Sequence, residues 1–140
     1  MADANRAHAV HEVFGLMARL VHRTSQDARV ELDREQLNPA LFQLLLAVGQ
    51  RPGSLQRELS DRFGVSVGNV SMLLAKLEER GFVRRDPRGA ANEVHLTDAG
   101  RELVDRLRPQ QDAFMLARFT ALTDAELDQL AALLHRLPTD

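Results

Sequence analysis

Cysteine is absent from this 140-residue sequence, and lysine occurs once. Without a thiol there is no disulfide framework, no zinc module with cysteine ligands, no thiol nucleophile and no cysteine redox sensor. That absence fits a cytoplasmic protein. Long apolar runs are missing as well. The longest, Ala40 to Val48, is interrupted by Gln43 and falls far short of the roughly 20 residues that a membrane span requires. No membrane partner is expected. The first six residues, Met1-Ala-Asp-Ala-Asn-Arg6, lack a basic region followed by an apolar one, so no signal peptide is expected. With 27% charged and 44% hydrophobic residues, the composition is neither disordered nor collagen-like. The length fits one domain of about 100–200 residues.

Net charge is −2, but it is unevenly placed. Residues 1–50 carry five arginines against six acids, and residues 90–140 carry five against nine. The middle, 51–89, carries seven arginines and Lys76 against five acids. A basic middle between acidic ends is a nucleic-acid signal, and on charge alone it is equally the scatter of a solvated surface.

Helical signals dominate. Val10, Phe14, Met17 and Val21 recur at steps of four, three and four, giving a long first helix over about 5–30. Asn38-Pro39 is an N-cap followed by proline at the first helical position. After a break over Gly49–Gly53, Ser54 is expected to cap a short helix with Leu55, Leu59 and Phe63 on one face. Gly64-Val65-Ser66 then forms a tight turn into a helix ending near Arg80, with Val70, Leu73, Leu74 and Leu77 inward and Gly81 as terminator. Phe82–Arg85 and Glu93–Leu96 change to the two-residue period of a β-hairpin, joined by the turn-forming stretch Asp86–Asn92. Thr97 caps a further helix that Pro109 is expected to kink or split. Thr123-Asp-Ala-Glu126 is a capping box for a last helix carrying Leu127, Leu130, Leu134 and Leu137.

Two helices joined by a tight turn and followed by a hairpin describe a winged helix-turn-helix. At this point the chain resembles the MarR family of bacterial transcriptional regulators. The segments that carry the resemblance are Asn38-Pro-Ala-Leu-Phe-Gln-Leu-Leu45, Leu55-Gln-Arg-Glu-Leu-Ser-Asp-Arg-Phe-Gly-Val-Ser66, Val70-Ser-Met-Leu-Leu-Ala-Lys-Leu-Glu-Glu-Arg-Gly-Phe-Val-Arg-Arg85 and Val94-His-Leu-Thr-Asp-Ala-Gly100. Their order and spacing matter more than any one of them. The expected fold is mainly α: a winged helix-turn-helix over 38–96 with a two-stranded β wing, flanked by dimerisation helices over 1–37 and 97–140. Family members usually carry an Asp-Arg pair at the wing tip. Those places hold Arg88 and Gly89 here, and the hairpin is about three residues short of the family pattern.

The second helix of the motif is the expected recognition helix. At 100° per residue, Gly68, Met72, Ala75, Lys76 and Glu79 point away from the core, with Asn69 and Ser71 on the flanks. Its small, nearly uncharged first turn suits close approach to a major groove. The expected DNA contacts are Ser66, Val67, Gly68, Asn69, Ser71, Met72 and Lys76, joined by Arg85 and Arg88 from the wing. Asn69 is the foremost base reader because Asn grips adenine N6 and N7 bidentately. Arg85 and Arg88 lie where phosphate is the nearest partner.

Two further patterns point to other chemistries. Gly64-Val-Ser66-Val-Gly68 matches the G-x-S-x-G nucleophile pattern, with Asp86 or Asp98 and His95 or His135 following. That mechanism needs a strand running into a strained elbow above a parallel sheet, and a capped amphipathic helix leads in instead. His8, His11 and Glu12 share a helix face, but His22 lies roughly 16 Å further along it. A solvated face is the better account, and no metal, cofactor or enzymatic activity is expected.

The resemblance implies a homodimer built from the terminal helices, repressing from a pseudo-palindromic operator in double-stranded DNA. It also implies relief by a small aromatic or phenolic ligand between the dimer helices and the winged region. Peroxide sensing through a thiol, found in some members of the family, is ruled out by the missing cysteine. A winged-helix module that binds a protein rather than DNA is the alternative, because no arginine faces outward on the recognition helix.

Overall fold

The computed structural model describes residues 1–88 and 91–138, with Arg88 described by its backbone only. In order, the elements are α1 (Ala2–Arg34), α2 (Pro39–Gln50), β1 (Ser54–Leu55), α3 (Gln56–Phe63), α4 (Val67–Glu79), β2 (Val83–Arg88), β3 (Ala91–Leu96), α5 (Asp98–Phe119) and α6 (Asp124–His135). The sheet is antiparallel with order β1-β3-β2. This is a winged helix-turn-helix set between long helices.

Four of the five expected caps are present. Asn38 Oδ1 accepts from the Leu41 N–H, Ser66 Oγ from Asn69 and Thr97 Oγ1 from Gly100. Thr123 and Glu126 satisfy each other's backbone N–H groups. Gly81 adopts φ +80°, where an L side chain would be strained. The Phe82 carbonyl then accepts from the Thr97 N–H, which closes the base of the hairpin. Gly100 packs so tightly there that a Cβ would lie 2.0 Å from that carbonyl oxygen. The Leu96-Thr97-x-x-Gly100 spacing therefore has a physical cause: it seats α5 against the backbone that opens the wing.

One core holds these elements together. Leu32 and Leu37 join Phe42, Leu45 and Val48 of α2, Leu59 of α3, Val70, Leu74 and Leu77 of α4, Val83, Val94 and Leu96 of the sheet, and Leu103 and Leu107 of α5. No buried side-chain polar atom among the described residues lacks a partner. Antiparallel to α5, the C-terminal half of α1 is tied down by Gln111 Nε2 donating to the Ala28 carbonyl and by the ion pairs Arg106–Glu35 and Arg118–Asp27.

Four expectations need correcting. Ser54 does not cap a helix. It pairs with Val94 as part of β1, its Oγ donates to the Arg51 carbonyl, and Leu55 stands at the N-cap of α3. The wing sheet is thus three-stranded. Phe63, one turn beyond the buried Leu59 at the end of α3, is exposed. The strands of the hairpin run further than expected, pairing out to Arg88 and Ala91. Pro87 is tolerated inside β2 because that strand is an edge. Pro109 does not split α5, which continues to Phe119. Pro109 and Asp105 are both exposed, so the carbonyl that loses its helical partner faces water.

Candidate nucleic-acid interface

Every residue from 61 to 69 is exposed, making a continuous strip across the end of α3, the turn and the first residues of α4. Gly64 closes α3 in the left-handed conformation, φ +62°. The Ser60 hydroxyl donates to the Val65 carbonyl and braces the turn from inside. Below the strip, Val70, Leu74 and Leu77 anchor α4 in the core. Gly68, Asn69, Met72, Ala75 and Lys76 are left on the open side. Met72 is 54% exposed, a large apolar side chain standing in solvent amid small neighbours. The first turn of α4 has free N–H groups, small side chains and no acid, so a polyanion can approach its backbone closely.

The hairpin flanks this strip, and its two arginines take different places. Arg85 shares a sheet face with Val83 and Val94 and packs toward α4. Its backbone N–H donates to Glu78 Oε2 at 3.0 Å and its guanidinium to Glu78 Oε1 at 3.3 Å. The same guanidinium reaches Ser71 Oγ and Gln56 Oε1, both at 3.3 Å. Gln56 Oε1 also accepts from Asn92. With 20% of its side chain exposed, Arg85 joins the wing, the recognition helix and α3 at one point. Arg84 lies on the opposite sheet face, paired to Asp86 at 3.1 Å. At the end of β2 the Arg88 backbone pairs with Ala91; the Arg88 side chain, Gly89 and Ala90 lie outside the described residues.

Sequence reasoning missed how the far end of α4 is tied down. The Arg80 guanidinium donates to the carbonyls of Glu35 and Gln36, at 2.6 and 2.7 Å, and stacks over the Phe82 ring at 5.1 Å. Gln36 is the one described non-glycine residue at positive φ. The recognition helix is therefore fastened to the end of α1. The signal available was an arginine in the last turn of a helix, where cations seek carbonyls, but its partner is 44 residues away.

The other sequence candidates do not assemble a site. Ser66 is a helix cap in a helix-turn-helix rather than on a strand elbow. His95 contacts Glu93 and Asp86. His8, His11, Glu12 and His22 are exposed on α1, and no group of three metal-ligating side chains occurs among the described residues.

Away from the strip, a cavity of about 240 Å³ lies between α1, α2 and α5. Phe42, Phe114 and Met115 supply much of its apolar wall, and Thr24, Ser25, Gln43, Gln111 and Asp112 its polar groups.

The comparisons with known proteins agree with this geometry. A MarR-family profile matches residues 35–91. A Thauera aromatica protein put forward as the transcriptional regulator of the hcr operon is 30% identical over 118 residues, covering 80% of this chain and 69% of that one. A MarR variant from E. coli, solved with operator DNA, superimposes with a TM-score of 0.79 at 21% identity, covering 93% of this chain and 96% of that one. CouR from Rhodococcus jostii, solved with p-coumaroyl-CoA, gives a TM-score of 0.80 at 24% identity, covering 91% and 94%. The two solved structures establish a shared fold.

Proposed function

This chain belongs to the MarR family of transcriptional regulators, and we propose that it is a dimeric repressor that binds a pseudo-palindromic operator and releases it when a small ligand binds. The observation that carries the DNA-binding part is the exposed strip 61–69 and the open face of α4, firmly seated from below and flanked by the hairpin. Asn69 is the base reader, with Met72 or Val67 against a thymine methyl and Lys76 one turn further along. Arg88 at the wing end serves a phosphate, and Arg85 sets the angle of the wing through Glu78 and Ser71.

Dimerisation is supported by the apolar side chains that α1, α5 and α6 leave in solvent. Phe14 is 67% and Leu116 68% exposed, and Val10, Leu133, Leu134 and Leu137 are also open. An exposed apolar surplus of this kind is what a second chain would cover. The ligand reading rests on the cavity between α1, α2 and α5, whose phenylalanines suit an aromatic ring and whose glutamines suit a hydroxyl or carbonyl. The CouR structure, with its bound acyl-CoA, shows that a protein of this fold takes an organic ligand.

The test is a mobility shift with DNA upstream of the chain's own gene, repeated with Asn69→Ala and a panel of single-base variants. Loss of preference at one symmetric base pair, with non-specific binding little changed, is the expected result. An equal loss on every variant would make Asn69 a phosphate contact. No retention on heparin and no shift at all would favour the protein-interaction module, for which the uncharged, Met72-centred face of α4 is the argument.

A further inference from the structure

The three residues that join α4 to β2 touch both terminal helices at once. Arg80, the C-cap of α4, reaches the end of α1: its guanidinium donates to the Glu35 carbonyl at 2.6 Å and to the Gln36 carbonyl at 2.7 Å. The next two carbonyls hold the start of α5. Gly81 accepts from Thr97 Oγ1 at 2.5 Å, and Phe82 from the Thr97 N–H at 3.1 Å. We propose that Arg80 is a positioning residue: in a dimer held by the terminal helices it fixes how the two α4 helices lie relative to each other, and so the half-site spacing that the protein accepts. This rests on the dimeric-regulator reading.

The contact has the chemistry of a rigid strut. Carbonyls in the last turn of a helix have no partners within that helix and form the negative end of its dipole. A guanidinium is planar, always charged and holds its donors in a fixed fork, so bonds to two successive carbonyls set direction as well as distance. The Phe82 ring backs this fork, its centroid 5.1 Å from the guanidinium carbon in a cation–π arrangement. On the α1 side, Gln36 sits at φ +55°, the left-handed position that usually falls to glycine or asparagine after a helix. The Leu37 N–H returns to the Leu32 carbonyl at 2.8 Å, so the turn that presents both carbonyls is closed from within. Glu35 extends the link sideways, its carboxylate pairing with Arg106 of α5 at 3.1 Å.

Position gives this contact leverage. The core holds α4 through Val70, Leu74 and Leu77, and apolar contacts of that kind are non-directional. Arg80 adds directional bonds at the end of α4 opposite its DNA-facing first turn. The 13 residues of α4 span roughly 20 Å, so a tilt of about 10° at Arg80 carries the first turn about 3.4 Å, one base-pair step. Two such helices in a dimer would double the error. Arg80 is itself exposed, so its removal leaves no buried group of its own unpaired, and water can replace it at the two carbonyls. The fold should therefore survive a substitution that loosens the strut.

Two measurements on the full chain test it. The absence of cysteine allows one spin label per chain through Ala75→Cys, on the open side of α4, and pulsed dipolar spectroscopy then reads the distance between the two α4 helices without DNA. A narrow distribution is expected, broadened by Arg80→Gln and partly restored by Arg80→Lys, which keeps a charged donor. The second measurement uses the inverted repeat selected from a random duplex library, the same repeat with two base pairs inserted at its centre, and an isolated half-site. The unsubstituted chain should lose at least about a hundredfold in affinity on the insertion, as when geometry forbids simultaneous engagement. Arg80→Gln should lose about tenfold or less, while its affinity for the half-site matches that of the unsubstituted chain. An unchanged distribution or an unchanged insertion penalty in Arg80→Gln would overturn the proposal. So would a fall in half-site affinity as large as the fall on the repeat, which would make Arg80 a DNA contact or a mere stabiliser of the fold. No distance between chains, or no binding to any duplex, would refute the dimeric-regulator reading and this assignment with it.

Discussion

The winged region and the terminal helices solve the burial problem in opposite ways. Between Leu32 and Leu107, each helix and strand apart from the two-residue β1 contributes at least one apolar side chain to one closed core, and the buried polar groups are paired. From 1 to 23 and from 112 to 138 no residue is buried, although Val10, Phe14, Leu116, Leu134 and Leu137 are as apolar as anything inside. The same kind of residue thus finishes the fold in one region and leaves it open in the other. An isolated helix gains most of its stability in a protein from burying an amphipathic face, and α1, at 33 residues, extends roughly 50 Å with half of that face uncovered. The winged region closes its core within one chain; the terminal helices leave their apolar faces open.

Substitutions at matched apolar residues should have the largest and most different effects in the two regions. Leu74→Ala, in the closed core, should lower unfolding stability by about 2–5 kcal/mol at any protein concentration, seen as a drop in denaturation midpoint. Phe14→Asp with Leu116→Asp should instead act on association. The dimer dissociation constant should rise by about a hundredfold or more, read by sedimentation equilibrium, with the winged core unchanged in dilute denaturant titrations. A concentration-independent loss in both variants would erase the distinction between the two regions.

Next in size is the joint between them. Gly100→Ala forces a Cβ against the Phe82 carbonyl and should cost about 1–3 kcal/mol, whereas the same change at Gly64, set by φ +62° in open space, should cost about 1 kcal/mol. Calorimetric melting temperatures of the two variants rank them.

The wing sharpens the contrast between contact and support. Arg88→Ala should lower the slope of log affinity against log salt by about 0.9 for each wing of a dimer. Arg85→Ala and Glu78→Ala should weaken DNA binding together and leave the slope unchanged, because their shared bonds lie inside the protein. A slope that falls with Arg85→Ala but not with Glu78→Ala would make Arg85 a phosphate ligand.

The smallest effect belongs to α6. The Glu126 carboxyl is held below its ordinary value by the Thr123 backbone N–H and then by the Thr123 hydroxyl. Its folded-state affinity for a proton is therefore lower than in the unfolded chain. The cap contributes stability above the ordinary glutamate range and loses it as pH falls through the depressed value. Glu126→Gln should flatten that slight acid dependence of α6 helicity in circular dichroism.

Much of this was legible in the sequence because it is local. Caps at Asn38, Ser66, Thr97 and Thr123 satisfy N–H groups three residues on, and the inward stripe of α4 follows from its period. What escaped notice is set by distant partners or by extent. β1 is two residues long and exists only because β3 lies beside it. Arg80 finds its carbonyls at Glu35 and Gln36, and Arg85 turns inward because Glu78 and Gln56 converge on it. Pro109 reads in sequence as a kink or split, and the exposure of its turn of helix is a tertiary property.

On the reading proposed here, the open terminal helices pair two chains so that two α4 helices read DNA together. Selection of binding sites from a random duplex library, followed by sedimentation of the complex, tests it most directly. The expected result is an inverted repeat, its half-sites centred about 10 base pairs or one helical turn apart, bound by two chains per duplex. Enrichment of a single asymmetric half-site carrying one chain, or no enrichment at all, would contradict it.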